Sequence, residues 1–289
     1  MDVDTRLLRY FAAVAQEGTL TRAAAVLYVT QPALTRQVAR LEDLLGARLF
    51  TRSKAGMSLT PAGEALAARV PALLDAWDGI ARETRAAARV LRVGFLASAA
   101  NEATPGIVAA FTARRPGWRV EMRQSSWADP AAGLSTGDVD VALVRLPFPG
   151  QDAWAVDVLL TEPRVLAVSS AGPLAARERV AIGEVLDEPF VAAPGATGAW
   201  RDHWLAVEER GGHPVRVGAV TEHPDEWLTA IANGDGIALA PASAARFYAR
   251  PGVTYVPLDG VGPSRVAVAR AGDRDPVVRD FVDCCLAAF

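Results

Sequence analysis

The spacing of apolar residues changes character along this chain, and no single repeating architecture accommodates both patterns. Leu7, Tyr10, Phe11 and Val14 recur at helical spacing, and so do Leu66, Val70, Leu73, Trp77 and Ile80. From Leu91 onward the apolar residues fall instead into short runs such as Leu91–Phe95 and Val139–Val144. Such runs fit buried strands. The chain therefore divides into a helical N-terminal part and an α/β remainder, and its 289 residues suffice for two or three domains. An apolar fraction of 51% can fill real cores. No apolar run reaches the roughly 18–20 residues of a membrane span, so no membrane partner is expected. Met1-Asp2-Val3-Asp4 is acidic and leads directly into an amphipathic pattern, so we expect no signal peptide. Cys284 and Cys285 are adjacent and point in different directions on a helix, as reduced packing residues would. These features predict a cytoplasmic protein without metal or cofactor.

Charge is unevenly distributed. Residues 1–60 carry a net charge of +3 and the rest −6, within a total of −3. A basic head on an acidic body suits contact with double-stranded DNA by one domain. The first predicted helix ends at Gly18. Thr19 or Thr21 can cap a second through Ala23, Ala24 and Leu27, and Tyr28–Pro32 is a turn in which Thr30 caps a third helix, about Gln31–Leu45. On that third helix Leu34, Val38, Leu41 and Leu45 fall in one apolar arc. Gln31, Thr35, Arg36 and Arg40 occupy the neighbouring half. An amide, a hydroxyl and two guanidiniums on one face can read base edges in a major groove. Two helices joined by a short turn, the second bearing that face, predict a helix-turn-helix. Leu49-Phe50-Thr51 and Met57-Ser58-Leu59 predict two strands around the loop Arg52–Gly56. That is a wing, whose Arg52 and Lys54 can touch phosphates or a minor groove.

Thr60 can cap a helix beginning Pro61-Ala62, along which Leu66, Val70, Leu73, Trp77, Ile80 and Thr84 alternate steps of four and three. That seam calls for a partner helix, in a second copy or in the chain's own C-terminal part. Pro71 lies inside it, where it should introduce a kink or cost about 3 kcal/mol. Beyond residue 90 the expected series is strand Leu91–Phe95, helix Thr104–Arg115, strand Arg119–Arg123, helix Asp129–Ser135 and strand Val139–Val144, which predicts a parallel sheet. A second series follows: strands Arg164–Ser169 and Phe190–Ala193, a helix from Trp200, strand Val215–Val220, helix Asp225–Ala232, and strand Ile237–Pro241. Strands Val253–Pro257 and Arg265–Ala269 and a helix Pro276–Phe289 complete it.

The run Thr30-Gln31-Pro32-Ala33-Leu34-Thr35-Arg36-Gln37-Val38, continued by Leu41-Glu42, Leu45-Gly46, Leu49-Phe50, Arg52 and Leu59-Thr60-Pro61-Ala62-Gly63, closely resembles the DNA-binding domain of LysR-type transcriptional regulators. Gly137-Asp138-Val139-Asp140-Val141-Ala142-Leu143 and Gly234-Asp235-Gly236-Ile237-Ala238-Leu239-Ala240-Pro241 resemble two motifs of that family's effector domain. The resemblance implies an α/β chain with an N-terminal winged helix-turn-helix (1–59) and a long dimerisation linker helix (60–89). A two-lobed effector domain like a periplasmic binding protein follows (90–289), lobe I being 90–161 with 266–289 and lobe II 162–265. It implies base-facing roles for Gln31, Pro32, Thr35 and Arg36, a wing role for Arg52, and dimerisation through Leu66, Val70, Leu73, Trp77 and Ile80. It also implies a homo-oligomer, dimer or tetramer, on a pseudo-palindromic operator, with RNA polymerase as a further expected partner.

Ligands of open α/β sheets bind beyond the carboxyl ends of strands. Ser98, Ser126, Trp127 and Arg145 each follow a predicted strand, and Pro194–Trp200, which includes Thr197, leads into a helix. These residues are the candidate effector site, and they suit an organic, possibly aromatic, carboxylate. Val144-Arg145-Leu146-Pro147 and Val253–Leu258 are similar to segments of regulators of aromatic-compound degradation. Competing readings make Ser98 a helix cap, Trp200 a core residue, and Arg145 the partner of a carboxylate such as Asp140 or Glu162. No phosphate loop, zinc-protease helix or serine elbow argues for an enzyme. Gly234-Asp235-Gly236 precedes a strand, whereas a dinucleotide fingerprint follows one. His203, His213 and His223 fall on different predicted elements, against a metal site.

Overall fold

A computed structural model describes residues 3–27, 29–53, 56–98 and 100–289, with the backbone alone described for Arg52 and Ser53. The first three helices are α1 (Thr5–Glu17), α2 (Leu20–Val26) and α3 (Gln31–Leu45). Local chemistry sets their ends. Asp4, Thr19 and Thr30 each accept a hydrogen bond from a backbone N–H of the first turn, and Gly18 and Gly46 end α1 and α3 in the left-handed conformation. The stripes Leu7, Phe11, Val14 and Leu34, Val38, Leu41 meet in one core. The turn residue Tyr28 and the wing residue Lys54 lie outside the described residues.

Strands β1 (Phe50–Ser53) and β2 (Gly56–Leu59) pair antiparallel as the expected wing. Glu42 fastens that wing to α3. Its carboxylate accepts from the Leu49 N–H at 2.8 Å, the Phe50 N–H at 3.3 Å and Arg48 Nη1 at 2.7 Å. Burial raises its pKa, but these donors outweigh it and hold the carboxyl below its usual range.

The linker is not one helix. It comprises α4 (Pro61–Ala67) and α5 (Val70–Ala87). Pro71 lies in the first turn of α5, where its missing N–H costs nothing, so the expected mid-helix strain does not arise. The break also redistributes the seam. Val70, 3% exposed, belongs to the helix-turn-helix core, and Leu66 packs against the same cluster. Leu73, Trp77 and Ile80 remain half exposed at 50%, 50% and 56%.

The remaining elements are β3 (Val90–Phe95), α6 (Thr104–Arg114), β4 (Arg119–Gln124), β5 (Val141–Leu146), β6 (Ala155–Glu162), β7 (Arg164–Ser169), β8 (Val180–Ala181) and β9 (Pro189–Ala192). After these come α7 (Ala199–Trp204), β10 (Arg216–Val220), α8 (Pro224–Asn233), β11 (Ala238–Pro241), α9 (Ala244–Phe247), β12 (Val253–Asp259), β13 (Ser264–Arg270) and α10 (Pro276–Leu286). Lobe I is a five-stranded sheet ordered β4-β3-β5-β13-β6. Lobe II contains β11-β7-β12-β8, with the parallel pair β9 and β10 joined to it by a bridge from Phe190 to Ile237. The chain crosses between lobes at Glu162–Arg164 and again between β12 and β13.

Three expectations need correction. The sheets are mixed, because β13 returns antiparallel to both β5 and β6, and β7 lies antiparallel to β11 and β12. Strand β6 has no counterpart in the sequence reading, since Asp157, Thr161 and Glu162 interrupt its apolar residues. Residues 129–136 form turns rather than a helix. Ala132 and Gly133 have φ of 53° and 87°, outside the helical region, and the Asp129 carboxylate accepts from the Gly133 N–H at 2.7 Å. The Ala132 carbonyl packs onto the bare face of Gly94, where a Cβ would lie 1.9 Å from its oxygen.

The N-terminal part rests on lobe I. Arg85 of α5 pairs with Asp140 at 2.5 Å, and Arg9 of α1 pairs with Asp78 of α5 at 2.5 Å beside Gly137.

Candidate functional site

Two surfaces matter. On α3 the Thr30 cap and Pro32 start the helix, and the buried arc turns the opposite side outward. Gln31, Pro32, Arg36 and Arg40 are exposed and Thr35 is half-buried. The Thr35 hydroxyl donates to the Gln31 carbonyl at 2.9 Å, so its donor is used within the helix. Arg52 lies on β1 of the wing, backbone only.

The second surface is a cavity between the lobes. It is lined by Leu96–Ser98 and Trp127 from the loops after β3 and β4, Arg145 on β5, Trp200 and Trp204 on α7, and Trp227 on α8; β11 and Tyr248 complete it. The atom-free space there, open solvent at the mouth included, is about 660 Å³. Its walls are aromatic. Trp127 lies 6.1 Å from Trp200 and 6.0 Å from Trp227, and Trp200 lies 6.0 Å from Trp204. The Trp127 N–H donates to the Glu222 carbonyl across the lobes at 2.8 Å.

At one end sits a buried polar network. Arg145, 3% exposed, donates through Nη1 to Glu162 Oε1 at 3.0 Å and to Ser264 Oγ at 2.9 Å. Its Nη2 reaches Ser243 Oγ at 3.4 Å. Burial lowers its pKa and the Glu162 carboxylate opposes that. Ser98 Oγ donates to Asn101 Oδ1 at 2.8 Å, which ties the loop after β3 to the same network. Among the described residues, Arg145 Nε and the indole nitrogens of Trp200 and Trp204 are buried without a hydrogen-bond partner. All three are donors on residues that line the cavity.

Residues 5–64 match the profile of the bacterial regulatory helix-turn-helix protein, lysR family, and residues 84–289 match the LysR substrate binding domain. The chain belongs to the LysR family of transcriptional regulators. It is 31% identical over 288 residues to the HTH-type transcriptional regulator TfdS of Cupriavidus pinatubonensis, covering 97% of each chain. With AlsR of Bacillus subtilis it is 29% identical over 290 residues, covering 97% of this chain and 94% of AlsR. Among solved structures the LysR family regulator CbnR superposes with a TM-score of 0.55 at 25% identity, over 98% of this chain and 100% of CbnR. These relatives are transcriptional regulators rather than enzymes.

Within this LysR-family regulator the cavity gathers Ser98, Trp127, Arg145 and Trp200 of the expected set. Ser126 and Thr197 stand apart. Ser126 Oγ accepts from the Ala128 N–H at 3.3 Å, and Thr197, fully buried, donates to the Pro194 carbonyl at 2.8 Å. Each stabilises its own turn. Asp140, the other carboxylate considered for Arg145, is taken by Arg85. The sequence reading offered Glu162 as a partner for Arg145 and missed Trp204, Trp227, Tyr248, Asn101, Ser243 and Ser264. Trp204 was accessible, since it sits four residues after Trp200 on the same helical face. The others come together only through the fold.

No described helix is long and apolar enough to cross a membrane. The described residues contain no His, Cys, Asp and Glu cluster fit for a metal. His203 lies on α7, His223 caps α8, and His213 in the loop between α7 and β10 contacts Asp187 at 2.9 Å.

Proposed function

We propose that this regulator binds a two-fold symmetric operator through α3 and is controlled by a small aromatic or unsaturated carboxylate held between its lobes. It acts in the cytoplasm as a dimer or dimer of dimers, using the open stripe Leu73, Trp77 and Ile80. The observation that carries the ligand class is the unpartnered Arg145 Nε in a tryptophan-walled cavity. Glu162, Ser264 and Ser243 occupy Nη1 and Nη2, which leaves the guanidinium with donors to spare. A carboxylate accepts two parallel hydrogen bonds from such a group, and aromatic walls favour a flat apolar body.

Thermal unfolding of the full chain with matched carboxylic acids and their primary amides tests this. Ligand bound only by the native state raises the melting temperature by mass action. The acids should stabilise and the amides should not, and Arg145→Ala should abolish the difference. Equal stabilisation by acid and amide would sink the carboxylate reading.

A further inference from the structure

We propose that Glu162 is a positioning residue with two roles carried by one carboxylate: it presents the unpartnered Nε of Arg145 to the cavity, and it ties lobe II to lobe I. The first role rests on the carboxylate reading above; the second does not.

Glu162 ends β6, and two residues later the chain is already in β7 of lobe II. Its β-partner is Ser264, the first residue of the return strand β13. It therefore sits where both crossovers pass, so a change of angle between the lobes must act there. Its side chain gathers donors from both lobes. Oε1 accepts from Arg145 Nη1 at 3.0 Å, from Ser243 Oγ at 3.0 Å and from Asn101 Nδ2 at 3.5 Å. Oε2 accepts from the Ser243 N–H at 2.7 Å. Arg145 and Asn101 belong to lobe I, and Ser243 follows β11 in lobe II.

Every polar group facing this carboxylate is a donor, so only an acceptor on both oxygens satisfies the site. Glutamine would set an NH2 against at least one of those donors while leaving the volume unchanged. The ion pair also fixes rotation of the guanidinium. With Nη1 held by Glu162 and Ser264 and Nη2 reaching Ser243, Nε is the nitrogen left without a partner. The network meets the cavity at two points, Arg145 and Ser98, the latter through Asn101. Ligand contact and lobe angle are therefore set by the same buried group.

Two measurements on the full chain test the proposal, using Glu162→Gln, with Glu162→Asp retaining the charge. The first needs no ligand. In Glu162→Gln, hydrogen exchange should accelerate about tenfold or more at both the Ser243 and the Trp127 N–H, the latter being a tie between lobes that does not involve Glu162. Val144 and Val268, inside the lobe I sheet, should keep wild-type rates. Acceleration at Ser243 alone, or at neither, overturns the lobe tie. The second uses tryptophan fluorescence titrations with benzoate and sorbate, each against its primary amide. Glu162→Gln should weaken the acids by about tenfold and the amides far less, with partial recovery in Glu162→Asp. Unchanged acid binding overturns the orienting role. Equal binding of acid and amide by wild type overturns the carboxylate reading and the orienting role with it, while the exchange experiment still decides the lobe tie.

Discussion

Arg36 projects from the exposed side of α3, opposite Leu34, Val38 and Leu41, so its function and its contribution to the fold can be separated. Replacing it with alanine should cost about 1–3 kcal/mol of operator discrimination. Stability should change by no more than about 0.5 kcal/mol. Footprinting beside a urea titration checks both; an unchanged footprint would remove α3 as the reading element. His203 is the opposite case, a residue whose role is internal. Burial, and then the charge of Arg164, push its pKa down from 6.5 to about 4. The unfolded chain thus takes up a proton more readily than the folded one. The neutral ring's contribution is fully present above pH 6.5 and is lost as pH falls through about 4. A shift of that size corresponds to roughly 3–4 kcal/mol. The melting temperature of wild type should fall more steeply between those pH values than that of His203→Phe. Parallel slopes would show that His203 does not titrate as described.

The linker shows what an element does with a pattern that two partners could satisfy. Periodicity placed Leu66, Val70, Leu73, Trp77 and Ile80 in one seam, but the break after Ala67 divides them. Val70 is inside the chain's own core, and Leu73, Trp77 and Ile80 are not. Val70→Ala should therefore destabilise the monomeric fold by roughly 2 kcal/mol, read from a denaturant midpoint. Leu73→Glu with Trp77→Glu should leave folding nearly intact and abolish self-association in sedimentation at micromolar concentration, because charges cannot be buried unpaired between helices. A double variant that still associates would refute the stripe as the interface. Strand β6 makes a related point. It alternates only in part, because one end carries the hinge carboxylate Glu162, and function overrides pattern there.

Across the whole molecule the DNA-binding part is held by charge. Arg85 and Asp140 pair at 2.5 Å with their side chains 14% and 7% exposed, and the Asp140 carboxylate also accepts from the Arg92 N–H at 3.0 Å. Arg9 and Asp78 lie against Gly137, and α2 lies beside the turn 195–197 that leads into α7 and its cavity tryptophans. Asp140→Asn leaves Arg85 buried without a counter-charge, a loss of about 3–5 kcal/mol at the junction. We expect calorimetry of this variant to resolve separate transitions for the N-terminal part and the lobes. Preservation of the wild-type profile would show that the junction does not couple them.

The helix-turn-helix, its wing and most strands were legible in the sequence because caps, glycine stops and apolar periods are local, and each fixes a short segment almost independently of the rest. Ser98, Trp127, Arg145 and Trp200 could be placed at the cavity because strand ends converge wherever a sheet of this kind forms. Tertiary structure alone decided the remainder. A carboxylate such as Glu162 has no intrinsic preference among the guanidiniums of a chain with so many arginines; Arg145 became its partner because β5, β13 and β6 are neighbours in one sheet. Ser126 and Thr197 had the right chemistry and the right side of a strand, but nearby backbone satisfied them first. Whether an apolar side chain on a linker faces its own core or another molecule depends on where the helix breaks, and Pro71 marked that break only once the preceding turn was seen to have ended.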